Sequence, residues 1–260
     1  MKADTRKGIS NLQPVDITVI VQGKPFPQYT SSMILLQGKI NNKKILFDAG
    51  SPYERDSIKQ NFSEKSISPR DIDYLILSHW HMDHMGSIDL YENATVLISE
   101  ESYILQCKLY QAVKTAKTKI NPFEFLVEAL IYELHKKNPS YELLPNRLRA
   151  MANIMFNNHH LLETFINIDK EKRIITVSEE NYNLQPYIHL IKSNAHSDGD
   201  LIGVVQDSEG KLFCLAGDVL ISEKELDNKH FLFNVTKDMD GIFPGHGNKI
   251  NLNKREFRNC

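Results

Sequence analysis

The chain has 260 residues, 41% of them hydrophobic, and a formal net charge of −2. This length can bury a sizeable core, and the near-neutral charge argues against wholesale capture of nucleic acid or of an anionic membrane surface. The first residues lack the apolar region of a secretory signal, and no run of about 18 apolar residues offers a membrane span. The three cysteines are widely spaced, which suits a reducing compartment. We therefore expect a cytoplasmic protein.

The N-terminal part of the chain has the apolar composition and turn residues of β-strands. A helix is predicted over 54–62, and the pair Ser68-Pro69 has the cap-then-proline order of a short helix start. The predicted strands in this part are 15–21, 32–36, 44–47, 74–77 and 94–98.

The pattern becomes helical from about 103 to 166, with apolar spacings such as Leu126, Leu130 and Leu134. Prolines divide this segment into three or four helices. Strands interspersed with helices favour a layered α/β architecture over an all-β barrel. After the helical segment, strands are predicted at 173–177, 187–191, 201–205, 212–215 and 241–244.

The stretch SHWHMDHMG, residues 78–86, concentrates metal-binding side chains at the end of a predicted strand. Side chains two residues apart share a face of an extended segment, so His79 and His81 can reach one metal together. Asp83 and His84 follow as the chain turns, and can reach a second position. Imidazole and carboxylate suit zinc, iron or manganese rather than calcium. The stretch predicts a metal site.

Four side chains cannot complete two metal sites, so further ligands are expected at strand ends downstream. His196, Asp218 and His246 each follow an apolar strand at a turn that contains glycine. A rigid sheet can aim a ligand from such a position. Each of these residues alone would be an ordinary loop residue, but their joint occurrence predicts a shared centre.

The succession HxHxDH, an isolated histidine, GD and PGHG resembles the metallo-β-lactamase-fold hydrolase family, from Leu46 onward. The segment Leu46–Gly50 is similar to that family's strand-end aspartate segment. The resemblance implies an α/β fold: an αββα sandwich of two mixed sheets with outer helices and with metals at one edge. It also implies one metal on His79, His81 and His196, a second on Asp83, His84 and His246, a bridging Asp218, and Asp48 as the group that orients a ligand.

The expected cofactors are two divalent transition-metal ions, with Zn²⁺ as the first choice and Fe or Mn permitted by the same ligands. Two such ions sharing a carboxylate would lower the pKa of a bridging water, so that a bridging hydroxide is the expected nucleophile. Asp83 and Asp218 are the predicted catalytic residues, and Asp83 is a candidate for proton transfer as well as for ligation. We therefore expect the protein to hydrolyse an ester-like or phosphodiester bond.

Three kinds of enzyme within this family can be set aside, which narrows the class of substrate. Antibiotic-hydrolysing enzymes of the family are exported, glyoxalase-II-like thioesterases carry a C-terminal helical extension, and a tRNA-processing nuclease would show a long basic arm. The sequence offers none of these features, so the lactonase-like branch is favoured, with a small-molecule lactone or related ester as substrate and no nucleic-acid partner. The tyrosine that some lactonases place after the bridging aspartate is absent from Asp218–Ser222. The alternatives are a metal-dependent phosphodiesterase or nuclease, and a non-catalytic metal-binding protein.

The gap between His84 and His196 is longer than in compact members of the family. We interpret the chain as a single domain over 1–260, with a helical insertion at 103–166 that acts as a lid or as the contact of a homodimer. Its apolar side chains must be buried against each other, the rim of the metal site or a second copy. Candidate pocket-lining residues are Phe123, Phe125, Tyr132 and Phe156. Histidines expected to have no metal role are His135, His159, His160, His189 and His230.

Overall fold

The computed structural model describes residues 9–25, 28, 30–137, 145–171, 173–184, 186–228 and 235–252. Their strands form two six-stranded sheets. The first sheet contains, in spatial order, β1 (Val15–Val21), β2 (Met33–Gly38), β3 (Lys44–Phe47), β4 (Tyr74–Ile76), β5 (Thr95–Ser99) and β6 (Ile174–Val177). The second contains, in reverse chain order, β12 (Ile250–Asn251), β11 (Gly241–Pro244), β10 (Leu212–Gly217), β9 (Asp200–Gln206), β8 (Ile188–Ser193) and β7 (Asn181–Leu184).

Both sheets mix parallel and antiparallel pairs. In the first sheet β1, β2 and β3 pair antiparallel, whereas β3, β4, β5 and β6 pair parallel. In the second sheet β10 and β11 pair parallel, and the four other pairs of neighbouring described strands are antiparallel. Parallel neighbours require crossovers, and the helices supply them. The chain contains α1 (Arg55–Glu64), α2 (Met82–Met85), α3 (Glu100–Ala116), α4 (Pro122–Lys137), α5 (Pro145–Asn157) and α6 (His159–Lys170).

The central strands are buried on both faces because their alternating side chains enter two different cores. In β4 and β5, Ile76 and Leu97 point to the core between the sheets, while Leu75 and Val96 point to the helical side. The second sheet divides its residues in the same way between the central core and its own outer face. The expected αββα sandwich is therefore confirmed.

The helical block, which the structure describes over 100–137 and 145–170, continues the outer layer of the first sheet. Helix α3 lies against β5 and β6, α6 and α4 pack on α3, and α5 packs on α4. Leu109, Leu130 and Phe165 are fully buried in one apolar cluster that also contains Val96 of the sheet. Apolar residues at helical spacing thus cover each other and the sheet.

The edge strand β7 and the two-residue β12 have no counterpart among the predicted strands. Strand β7 has the sequence NYNL, whose two asparagines disfavour a strand and whose apolar content is low. It forms only because β8 offers a free edge to pair with. No helix among the described residues combines the length and apolar character that a membrane crossing needs.

Candidate metal centre

Four loops at the ends of strands converge on one edge of the sandwich. His79 follows β4, and His81 is the N-cap of α2, which carries Asp83 and His84. Downstream, His196 follows β8, Asp218 follows β10 and His246 follows β11. All seven side chains proposed as ligands come together here, in two groups whose ligand atoms lie within 4.8 Å of one another. Each group could hold a metal ion.

The first group consists of three histidines and Asp218. His79 Nε2 lies 2.8 Å from His81 Nδ1, and His196 Nε2 lies 3.1 Å from the same His81 atom. Asp218 Oδ2 lies 3.6 Å from His196 Nε2. Three ring nitrogens and one carboxylate oxygen therefore face a common point, as ligands of a bound cation do.

The second group consists of Asp83, His84 and His246. Asp83 Oδ2 lies 3.3 Å from His246 Nε2 and 3.7 Å from His84 Nε2. Asp218 also reaches this group, because its Oδ1 lies 3.2 Å from both His84 Nε2 and His246 Nε2. One carboxylate thus directs one oxygen to each group, which is the geometry expected of a bridging ligand.

Glycines on either side of Asp218 make this placement sterically feasible. A Cβ on Gly245 would lie 2.0 Å from Asp218 Oδ1, and a Cβ on Gly217 would lie 2.7 Å from the Cβ of Ser78. Gly217 also has φ +51°, a conformation that favours glycine. Gly245 of the PGHG motif therefore leaves room for the carboxylate, and Gly217 of the GD motif lets the loop pass close to Ser78.

A network of hydrogen bonds holds the histidine rings. Asp48 Oδ1 accepts from the Ser78 amide at 2.8 Å, and its Oδ2 accepts from Ser78 Oγ at 3.0 Å and from His84 Nδ1 at 2.8 Å. His246 Nδ1 donates to the carbonyl of Thr30 at 2.9 Å. Donation from Nδ1 leaves Nε2 as the basic nitrogen, which is the atom that faces the centre in both rings.

Asp200 is a supporting residue that the sequence reasoning missed. Its buried carboxylate accepts hydrogen bonds from the amides of His196 and Ser197, both at 2.9 Å, and from Ser197 Oγ at 2.6 Å. Burial raises the pKa of Asp200 to about 6, even though these hydrogen bonds favour the charged form. An aspartate that directly follows a glycine and opens an apolar strand was the available signal in the sequence.

The electrostatics divide the histidines into two sets. Burial, with the other rings nearby, lowers the pKa of His79 well below its usual value and that of His196 to about 3. These rings are neutral at physiological pH, which is the form that binds metal. Burial also opposes charge on His84 and His246, but the adjacent carboxylates outweigh it and raise both pKa values, that of His246 to about 9. The second group therefore has a negative environment that attracts a cation.

The buried polar atoms supply a test of whether a metal pair fits. His84 Nε2 and Asp218 Oδ1 are buried, and neither makes a hydrogen bond within the described part of the chain. Unsatisfied buried polar atoms are rare in folded proteins, and an absent ion is one of their ordinary explanations. The donor set of imidazole nitrogens and carboxylate oxygens suits zinc, iron or manganese. The residues present fit two such ions.

The histidines expected to have no metal role belong to neither ligand group, so far as the structure describes them. His189 is buried in β8 and contacts Asn183 Oδ1 through its Nδ1 at 2.7 Å. His159 and His160 begin α6. The side chain of His135 and all of His230 lie outside the described residues.

A cavity of about 400 Å³ opens beside the centre. His81 and Asp83 form part of its wall, and none of the described residues that line it is a lysine or an arginine. Helix α5 supplies an apolar side through Met151, Ile154 and Met155 rather than through the four aromatic residues proposed from sequence. The other lining residues are Gln28, Ser51, Pro52, Tyr53, Glu54, Trp80 and Met82.

Part of the chain is similar in sequence to known proteins. Residues 27–102 match the family model of the metallo-beta-lactamase superfamily. Metallo-beta-lactamase domain-containing protein 1 of Xenopus laevis is 33% identical over 72 residues, which are 28% of this chain and only 30% of that protein. The segment matched by the family model contains His79, His81, Asp83 and His84, whereas the other three proposed ligands lie beyond it.

The fold is shared over nearly the whole chain. A candidate metallo-beta-lactamase of Thermotoga maritima has a TM-score of 0.63 at 17% identity, with 92% of this chain and 100% of that chain covered. AidC, a dizinc quorum-quenching lactonase solved with the product N-hexanoyl-L-homoserine, has a TM-score of 0.54 at 16% identity, with 83% and 72% covered. Residues 27–102 thus match the metallo-beta-lactamase superfamily by sequence, and the fold over nearly the whole chain is similar to that of a solved structure described as a metallo-beta-lactamase.

Proposed function

We propose that the protein is a dinuclear-metal-dependent hydrolase that cleaves a lactone or a related ester. The observation that carries the proposal is Asp218, which directs one carboxylate oxygen toward each of two ligand groups. Two ions bound there, with zinc as the first choice, would supply an activated water and polarise the substrate carbonyl. Proton transfer and substrate binding are assigned to side chains of the protein.

Asp83 has the position of a residue that both binds a cation and transfers a proton. Its carboxylate contacts His246 Nε2 at 3.3 Å, and its side chain remains 29% exposed beside the cavity. Asp218, at 8% exposed, is too enclosed to exchange protons with a substrate as readily. We therefore assign proton transfer to the leaving group to Asp83, and the bridge to Asp218.

The cavity favours a neutral ester over a phosphodiester. A phosphodiester anion would meet the carboxylates of Glu54 and Asp83 without any lysine or arginine on the described wall. Beyond the oxygens that metal ions bind, phosphate recognition ordinarily depends on such cations. The apolar side chains of Trp80, Met82 and Met155 suit an uncharged substrate with an apolar chain. A solved lactonase with this fold is consistent with the proposal, but a shared fold alone does not assign a substrate.

We also propose that the helical block acts as a lid over the cavity. Three residues of α5 line the cavity, although α5 is the part of the block that packs on α4 rather than on the sheet. A hydrogen bond of 3.1 Å from Asn158 Nδ2 to the hydroxyl of Tyr53 connects the end of α5 to the loop on the opposite side. A homodimer contact through the block remains a separate prediction, for which the mass in solution is the test.

The deciding experiment combines metal analysis with a substrate panel. Protein grown with ample metal should contain two transition-metal ions per chain and should hydrolyse aliphatic lactones or esters, but neither bis-p-nitrophenyl phosphate nor short RNA. His196→Ala should lose an ion and activity, whereas His160→Ala, a matched change on α6, should keep both.

Three outcomes would contradict the proposal. One ion at full occupancy would remove the dinuclear assignment. RNA cleavage that weakens steeply with salt would favour the nuclease, because phosphate contacts release counterions. Two bound ions with no turnover on any substrate of the panel would favour a non-catalytic metal-binding protein.

A further inference from the structure

We propose that Glu54 is a specificity residue, which accepts a hydrogen bond from an N–H or O–H group carried by the substrate between its scissile group and an apolar chain. The inference rests on the proposed function only in placing the scissile group at the metal centre. It assigns a substrate class: neutral esters or lactones that bear an amide or hydroxyl donor.

The contacts of Glu54 leave part of its carboxylate unused. Oε1 accepts a hydrogen bond from Thr30 Oγ1 at 2.5 Å. Oε2 is buried and has no hydrogen-bond partner within the described part of the chain. A carboxylate offers about four acceptor positions, and a buried one without donors costs free energy. Because Glu54 lines the cavity beside the metal centre, a bound molecule is the available source of the missing donor.

The local backbone does not explain why a glutamate occupies this position. Glu54 is the N-cap residue of α1, where a side chain ordinarily turns back to accept from the first helical amides. Its side chain makes no such hydrogen bond and points instead toward Thr30. The carboxylate of Glu54 is therefore directed away from helix α1.

The opposite side of the cavity indicates what else the substrate carries. Met151, Ile154 and Met155 of α5, together with Trp80 and Met82, form an apolar surface. Burial of an alkyl chain there is worth about 0.8 kcal/mol per methylene, and flexible methionines accept chains of different shape. A substrate that extends from the metals across this cavity thus meets an apolar surface on one side and a single acceptor, Glu54, on the other.

The test uses two non-hydrolysable probes that differ only at the proposed donor. N-octanoylglycine carries an amide N–H, and 4-oxoundecanoic acid has a methylene in its place with the same chain and carboxylate. Binding to the zinc-loaded protein can be followed by the fluorescence of Trp80, the single tryptophan of the chain, because it lines the cavity. The amide should bind about 10- to 100-fold more tightly, the range for a hydrogen bond to a charged group.

Two variants and a control make the result decisive. Glu54→Leu should bring the ratio of the two dissociation constants close to one, and Glu54→Gln, which keeps an acceptor for Thr30 Oγ1, should reduce it partially. Glu64→Gln, at the exposed far end of α1, should keep the wild-type ratio. Zinc content, measured in each variant, should stay at the wild-type level.

The proposal is overturned if the wild type binds both probes equally, if it binds neither at millimolar concentration, or if the Glu54 variants keep the wild-type ratio. A merely structural role for Glu54 would weaken both probes together and leave the ratio unchanged. Turnover is measured separately on the lactone and ester panel. A failure of the hydrolase assignment and a failure of the Glu54 assignment are therefore distinguishable.

Discussion

Asp48→Asn should weaken the second metal group by reversing the tautomer of one ligand. In the wild type, His84 Nδ1 donates to Asp48 Oδ2 at 2.8 Å, so its Nε2 is the basic nitrogen. In the variant, the carboxamide keeps its oxygen toward the Ser78 amide, because the opposite orientation would place two donors face to face. The NH₂ group then donates to His84 Nδ1, and the ring proton moves to Nε2. That nitrogen can no longer bind a cation.

The expected loss of metal affinity in Asp48→Asn follows from the role of the contact between Asp48 and His84. Loss of the group that orients a metal-binding histidine typically lowers metal affinity by roughly 10- to 100-fold, which corresponds to about 1.4 to 2.7 kcal/mol. Asparagine is the appropriate replacement because residue 48 has φ +65°, a conformation that asparagine tolerates. Alanine would add about 1 to 2 kcal/mol of backbone strain and confuse the two effects.

The assay is zinc competition with a chromophoric chelator, which resolves the two binding steps. The step assigned to Asp83, His84 and His246 should weaken, and the step assigned to His79, His81 and His196 should change much less. Asp71→Asn, in an exposed capping position, serves as the matched control. If Asp48→Asn binds two zinc ions with wild-type affinity, the tautomer argument is wrong.

Three further predictions concern residues around the centre and in the core. Asp218→Ala should lower kcat/KM by more than roughly 100-fold, beyond the range of residues that only support ligands, and elemental analysis should show loss of one ion. Burial raises the pKa of Asp200 to about 6 from 3.8, so its contribution to the free energy of unfolding should fall as the pH rises from about 4 to about 6; urea titrations should show this slope in the wild type and its absence in Asp200→Asn. Burial raises the pKa of the Cys214 thiol to about 12, so mass spectrometry should find it unlabelled by a maleimide at pH 8 until urea is added.

The first group of proposed ligands could be predicted from the sequence because its residues are close together in the chain. His79 and His81 follow a strand at alternate positions, so their side chains point to the same face. The later proposed ligands could be predicted for a different reason. Each follows a β-strand of the second sheet, and the loops after these strands lie at the same edge of that sheet. What sequence alone did not supply was Asp200, whose acceptor role depends on the turn of the His196 loop.

The cavity was less accessible, since its wall joins segments that are distant in the chain. Phe123, Phe125, Tyr132 and Phe156 seemed suitable because aromatic residues dominate many ligand sites. Their positions on helices that pack in several layers direct them elsewhere, and α5 presents methionines instead. Helical periodicity identifies which face of a helix is buried, but it does not say which neighbour buries it.

The placement of the helical block changes how its function can be tested. Helices α3 and α6 share one apolar cluster with the outer face of the first sheet, so replacing the whole block by a linker would expose Val96 and its neighbours to water. Unfolding would then hide any effect on substrate range.

Single substitutions separate the packing role of the block from its role in the cavity. Leu130→Ala removes a fully buried side chain and should cost about 2 to 5 kcal/mol of stability, with little effect on the cavity. Met151→Gln changes the cavity wall from a partly exposed position, and should weaken binding of apolar chains at little cost in stability. If the two variants had the opposite effects, the division of the block into a packing part and a cavity part would be wrong.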